Sequence, residues 1–107
     1  MNTLFASLSD IEEKRASSGK PYHEFLHVLS MSAGLYVLAA GASDRQQPHR
    51  EDEIYYVLRG HGRFTTGAED REVSAGSVIF VAAKVEHRFY DISEELAILV
   101  LFAPAET

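Results

Sequence analysis

An all-β fold, an antiparallel barrel or sandwich behind a short helical N-terminal segment, is what this sequence predicts, and three observations carry the prediction. Five short apolar runs rich in β-branched and aromatic residues recur along the chain after residue 21. The segments between them hold turn chemistry and no helical pattern, which excludes βαβ units. A length of 107 residues with 46% hydrophobic content suits one domain with its own core. No repeat, low-complexity tract or linker divides it.

Residues 1–20 read as a helical or irregular segment and residues 21–107 as the barrel. Leu4, Leu8, Ile11 and Arg15 recur at helical spacing, and Ser9 precedes Glu12 by three positions, as in a capping box. "ASSGKP" at 16–21 should end the helix at Gly19 and Pro21. Strands are predicted at "YHEFLHVL" (22–29), "LYVLAA" (35–40), "IYYVL" (54–58), "VIFVAA" (78–83) and "LAILVLF" (96–102). Turns are predicted at 31–34, 41–48, 59–62, 66–72, 74–76 and 91–95. In "RGHG" at 59–62, Gly60 and Gly62 are read as hairpin residues with positive φ and His61 as an exposed turn residue. The stretch "YHEFLHVLSM" is long and apolar for an edge strand, which predicts pairing with a second copy and hence a homodimer.

Composition narrows the function classes. Ten basic against sixteen acidic residues give a net charge of −6, which repels nucleic-acid phosphates and anionic lipid. No apolar run reaches bilayer length, and "MNTLFASLSDIEEKR" lacks the pattern of a secretory signal, so a cytoplasmic, soluble protein is expected. The absence of cysteine leaves His, carboxylate and amide oxygen as possible metal ligands. No serine sits in G-x-S-x-G, and the glycines of "GHGRFTTG" precede no helix and lack a G-K-[ST] ending, which argues against serine-hydrolase and phosphate-binding chemistry.

The chemistry concentrates in "QQPHREDEIYYVLRG". If residues 47–57 are extended, Gln47, His49, Glu51, Glu53, Tyr55 and Val57 share one face. A second histidine, His87, comes from the distant stretch "VEHRFYD". The arrangement resembles the cupin family, whose first motif runs Gly, spacer, His-x-His, three or four residues, Glu, six residues, Gly. Gly41, His49, Glu53 and Gly60 fit that motif, with Gln47 at its first histidine position. The second motif, Gly, five residues, Pro-x-Gly, two residues, His, three residues, Asn, is matched by Gly76, His87 and, at the Asn position, Asp91; Ala82 and Lys84 stand for the Pro and Gly.

The resemblance implies a jelly-roll β-barrel and a divalent metal held by His49, Glu53 and His87, with Gln47 as a fourth candidate and Glu51 ranked below it. Two imidazoles and one carboxylate leave coordination positions open and suit Fe, Mn, Ni, Co or Zn. It also implies a small-molecule substrate or ligand and agrees with the homodimer. Simpler readings stand beside these. His87 alone could be a neutral histidine packed on Phe89, and His23 and His27 read as hydrogen-bonded structural histidines. Tyr55, Phe64, Phe80, Phe89 and Phe102 either line a pocket or pack a core. Three functions follow: a metal-dependent oxygenase or isomerase, a non-catalytic metallo-cupin that binds a small ligand, and a metal-free structural barrel.

Overall fold

The structure is a computed structural model and describes residues 2–107. Its elements are α1 (Leu8–Ser18), β1 (Tyr22–Val28), β2 (Met31–Leu38), β3 (Asp52–Thr65), β4 (Asp70–Ser74), β5 (Val78–Val81) and β6 (Arg88–Ala103). All strand pairings are antiparallel, in the order β1-β2-β6-β3-β4, with β5 also on β3. β1 is therefore an edge strand. No helix among the described residues is long and apolar enough to cross a membrane.

The helix begins at a different cap from the one predicted. Ser7, in extended conformation, accepts the Asp10 backbone N–H at 3.2 Å, and Ser9 lies inside the first turn. Ser7 and Asp10 have the same spacing as Ser9 and Glu12, so the sequence offered two overlapping starts. Gly19 ends the helix as expected, in the left-handed region at φ +70. Ile11 then docks on Leu35, Val37 and Ala97, on the outer face of the sheet.

Two predicted turns are absent, for one reason. Residues 59–62 lie inside the 14-residue β3, and residues 91–95 lie inside the 16-residue β6. The β3–β6 register slips between Val57 and Arg63, where Arg59 pairs with Ala97, His61 with Glu94 and Arg63 with Tyr90. Gly60 at φ +101 and Asp91 at φ +52 use their turn chemistry to make bulges, which bend two long strands without reversing them. Gly62 does not have positive φ, and His61 is a half-buried strand residue whose Nδ1 lies 2.8 Å from Ser93 Oγ. Gly60 is also held by space: a Cβ there would lie 2.1 Å from the Glu95 carbonyl oxygen.

Other boundaries move less. The turn expected at 31–34 is instead a two-residue loop, Leu29–Ser30, with Val28 paired to Met31. β4 begins inside the predicted 66–72 turn segment and runs on to Ser74. Between the curled strands lies the core, which includes Tyr55, Val57, Phe64, Phe89, Leu96, Ile98 and Phe102. Phe80 is not part of it: it is 63% exposed on the outside, beside Ile54.

Candidate metal centre

From residue 51 onward the predicted alternation is observed. Glu51, Glu53, Tyr55 and Val57 are buried, while Asp52, Ile54 and Tyr56 are exposed. The pleat of β3 thus carries Glu53 into the barrel. His49 lies just before β3, with its ring 4.9 Å from Phe102 in an edge contact. His87 arrives from the turn between β5 and β6, with its ring 5.8 Å from both Tyr55 and Phe64. That turn keeps its register without the motif's Pro and Gly. Lys84 takes up the left-handed conformation, φ +69, where glycine is favoured, and its N–H donates to the His49 carbonyl at 2.6 Å.

Ligand atoms of His49, Glu53 and His87 lie within 4.8 Å of one another. Glu53 Oε1 is 2.8 Å from His87 Nε2 and 4.0 Å from His49 Nε2. Donors bound to one ion at ~2.1 Å stand about 3 Å apart, so this spacing suits a shared cation. Both Glu53 oxygens are buried without a hydrogen-bond partner; the 2.8 Å approach to His87 is an ion-pair distance that lacks hydrogen-bond geometry. A buried carboxylate left in this state is costly, by about 3–5 kcal/mol when its charge partner is removed.

The ring nitrogens can be assigned by elimination. His87 Nδ1 lies 2.8 Å from the Val85 carbonyl, which only accepts, so Nδ1 carries the proton. Neutral His87 then presents a bare Nε2 to Glu53 Oε1, with the Tyr55 hydroxyl also 2.8 Å away. Two acceptors this close need positive charge between them, either a second ring proton or a metal ion. Burial works against a charged His87, but Glu53, the Val85 carbonyl and Asp44 outweigh it, and the ring holds its proton to higher pH than a free histidine.

His49 is oriented in the same manner. Its Nδ1 lies 3.2 Å from Glu106 Oε2, in the segment that follows β6, and its Nε2 faces Glu53. A carboxylate that holds the far nitrogen of a ligating histidine fixes the ring's tautomer and orientation. Glu106 itself is held by its backbone N–H to Ser32 Oγ at 2.9 Å. Burial raises its pKa, as do Glu51, Glu24 and Glu53, against the lowering effect of His49.

Gln47 is exposed, on the border of the cleft that Gln46 and His87 also line. Glu51 is buried but accepts from Thr107 Oγ1 at 3.1 Å. Instead Gln46 stands beside His49, with its Oε1 3.0 Å from His49 Nε2 and 3.1 Å from Tyr55 OH. Sequence reasoning missed Gln46 because it carried the period of two back to residue 47, whereas the chain from 43 to 49 is not strand. His27 is hydrogen-bonded as expected, to Glu24 at 3.1 Å, on the exposed surface. His23 is half-buried on β1 and stands apart from the cluster.

An antiparallel β-barrel whose interior brings together two histidines and a glutamate that could hold a metal ion defines a small barrel protein. Residues 34–103 match the cupin domain, and the chain belongs to the cupin family. It is 45% identical over 100 residues to an uncharacterised protein of Streptomyces coelicolor, a match that covers 94% of this chain and 95% of the other. Among solved structures, an RmlC-like cupin from Shewanella frigidimarina has a TM-score of 0.70 at 20% identity, over 78% of this chain and 75% of that one. KdgF from a Halomonas species has a TM-score of 0.69 at 23% identity, over 78% and 76%. The DMSP lyase DddQ from Ruegeria pomeroyi has a TM-score of 0.69 at 21% identity, over 82% of this chain and 49% of that one. These structures share the fold, at identities too low to carry an activity across.

Proposed function

We propose that the protein is a metal-dependent enzyme of the oxygenase or isomerase type that acts on a small organic molecule, with His49, Glu53 and His87 as its metal ligands. The observation that carries this reading is the pair of buried, unpartnered Glu53 oxygens facing two imidazole nitrogens. A divalent ion held there supplies a Lewis acid, or a redox centre if it is iron, with positions open to substrate.

The surroundings fit a substrate of modest size. A cavity of about 180 Å³ opens beside His49, walled by Tyr22, Tyr36, Val100 and Phe102 and edged by Gln46 and Glu106. The Tyr22 hydroxyl is buried without a partner. Burial, followed by the charges of Glu106, Glu24 and Glu53, pushes its pKa up, so it stays a donor and is suited to a substrate oxygen. The apolar side of the cavity excludes water from that bond. On the far side of Gln46 a wider cleft of about 410 Å³, bordered by Thr65, Thr66, His87 and Arg88, offers a second approach to the cluster.

The test is turnover. Protein loaded in turn with Fe, Mn, Co, Ni and Zn is given a panel of small acids, sugars and diketones, and product formation and dioxygen uptake are followed. Turnover that disappears in Glu53→Gln supports the enzyme. Ligand-induced thermal shifts without turnover favour a binding module instead. A metal-loaded protein that gives neither overturns the proposal.

A further inference from the structure

The amide oxygen of Gln46 has no assigned role in the metal set above, and its geometry calls for one. Which end of the Gln46 amide is oxygen follows from its partners. The Nε2 end lies 3.0 Å from Asp44 Oδ2, and a carboxylate oxygen can only accept, so the opposite end is the carbonyl. Asp44 is itself pinned: Tyr36 OH donates to Oδ1 at 2.7 Å, Phe89 N–H donates to Oδ2 at 2.9 Å, and Gln46's own N–H reaches Oδ1 at 3.3 Å. Oε1 is thereby fixed facing His49 Nε2 at 3.0 Å.

That contact has a consequence for charge. With the proton of neutral His49 on Nδ1, toward Glu106, its Nε2 is bare. A bare nitrogen and a carbonyl oxygen 3.0 Å apart then face each other as two acceptors, which either a second ring proton or a shared metal ion would reconcile. The spacing is what two ligands of one ion adopt, about 3 Å. The second lone pair of Oε1 is free to accept from Tyr55 OH, 3.1 Å away, so ligation leaves no polar atom of the amide stranded.

We propose that Gln46 Oε1 is the fourth protein ligand, completing a set of two imidazoles, one carboxylate and one amide oxygen, with Asp44 as the residue that aims it. This rests on the metal reading of His49, Glu53 and His87 and extends it. An amide oxygen is neutral and a weaker donor than imidazole. The site therefore carries the charge of one carboxylate only, and its fourth position is the one most easily given up to substrate.

The test measures Co(II) and Zn affinity by chelator competition and records the visible d–d spectrum of the Co(II) form, for the wild type, Gln46→Ala, Gln46→His and Gln47→Ala. Circular dichroism checks that each variant is folded. Gln46→Ala is expected to weaken binding by roughly tenfold or more and to change the Co(II) spectrum. Gln46→His is expected to restore or tighten binding with a spectrum of its own, because it puts an imidazole in place of the amide. Gln47→Ala is expected to match the wild type in both readouts. A Co(II) spectrum unchanged in Gln46→Ala overturns the fourth ligand while leaving the three-residue site standing, even if affinity falls. A wild-type protein that binds neither ion overturns the site and this ligand together.

Discussion

Glu53 Oε1 lies 2.8 Å from His87 Nε2, and both side chains are 1% exposed. They come from elements distant in the chain, β3 and the turn before β6. A carboxylate and an imidazole brought together in a barrel interior define what the protein must do electrostatically: supply a positive charge at that point, as a proton or as a metal ion.

The first prediction concerns stability. A metal that binds only the folded chain adds ~2.7 kcal/mol at one hundred times its dissociation constant. For a domain of this size that raises the melting temperature by on the order of 10 °C. In Glu53→Gln, which keeps the shape and removes the charge, the gain should vanish, and chelator should leave its melting curve unchanged. An equal metal-induced shift in wild type and variant would show that Glu53 is not a ligand.

Glu106 provides the second. Because it holds His49 Nδ1 at 3.2 Å, Glu106→Ala is expected to weaken metal binding by roughly tenfold. Glu106→Gln, which can still accept from that nitrogen, should recover part of the loss. The ¹⁵N shifts of His49 in the metal-free protein report the same interaction directly: proton on Nδ1 in the wild type, mixed tautomers in the alanine variant. Identical shifts in both would remove Glu106 from this role.

Backbone geometry gives the third. Gly60→Ala combines φ +101 with a Cβ 2.1 Å from the Glu95 carbonyl oxygen, and should cost more than about 3 kcal/mol in denaturant unfolding or prevent folding. Gly67→Ala has a similarly positive φ of +89 but open space around it, and should cost only about 1 kcal/mol. Lys84→Gly, at φ +69, should change stability by less than about 1 kcal/mol, since relief of the left-handed backbone offsets the added freedom of the unfolded chain. A Gly60→Ala protein as stable as Gly67→Ala would refute the bulge.

The fourth follows from the phenols. Burial is the leading cause that pushes Tyr22, Tyr36 and Tyr55 upward, joined at Tyr36 by its bond to Asp44 and at Tyr55 by the charge of Glu53. Each has a folded-state pKa above its unfolded value, so the unfolded chain gives up its protons first. Stability is fully present below the ordinary phenol pKa of ~10 and falls as pH rises above it. Each of the three can contribute up to ~1.4 kcal/mol per pH unit above the ordinary phenol pKa, and Tyr55, the most deeply buried, keeps contributing to the highest pH. Absorbance near 295 nm should show these three ionising only together with alkaline unfolding. Smooth ionisation near pH 10 in a protein that stays folded would contradict their burial.

The sequence disclosed the site better than it disclosed the strands. His49, Glu53 and His87 were legible because a period of two holds from 51 to 57, with His49 just before it, and because two motifs appear in the right order and separation. Gln46 was not, since nothing local marks where an irregular chain ends and the pleat begins. Gly60 and Asp91 signal positive φ without saying whether the chain turns back or bulges; that is decided by pairing between β3 and β6, far apart in sequence. Phe80 was read as inward-facing but lies outside for a related reason, as β5 pairs only with β3 and its outer face goes uncovered.

Metal content per chain tests the central claim most directly. Purified protein, stripped and then reconstituted separately with Fe, Mn, Co, Ni and Zn, is measured by elemental analysis beside His49→Ala and His87→Ala. Close to one ion per wild-type chain is expected for at least one of these metals, with a clear loss in both variants. No metal retained by the wild type after reconstitution, or equal retention in all three proteins, would contradict it.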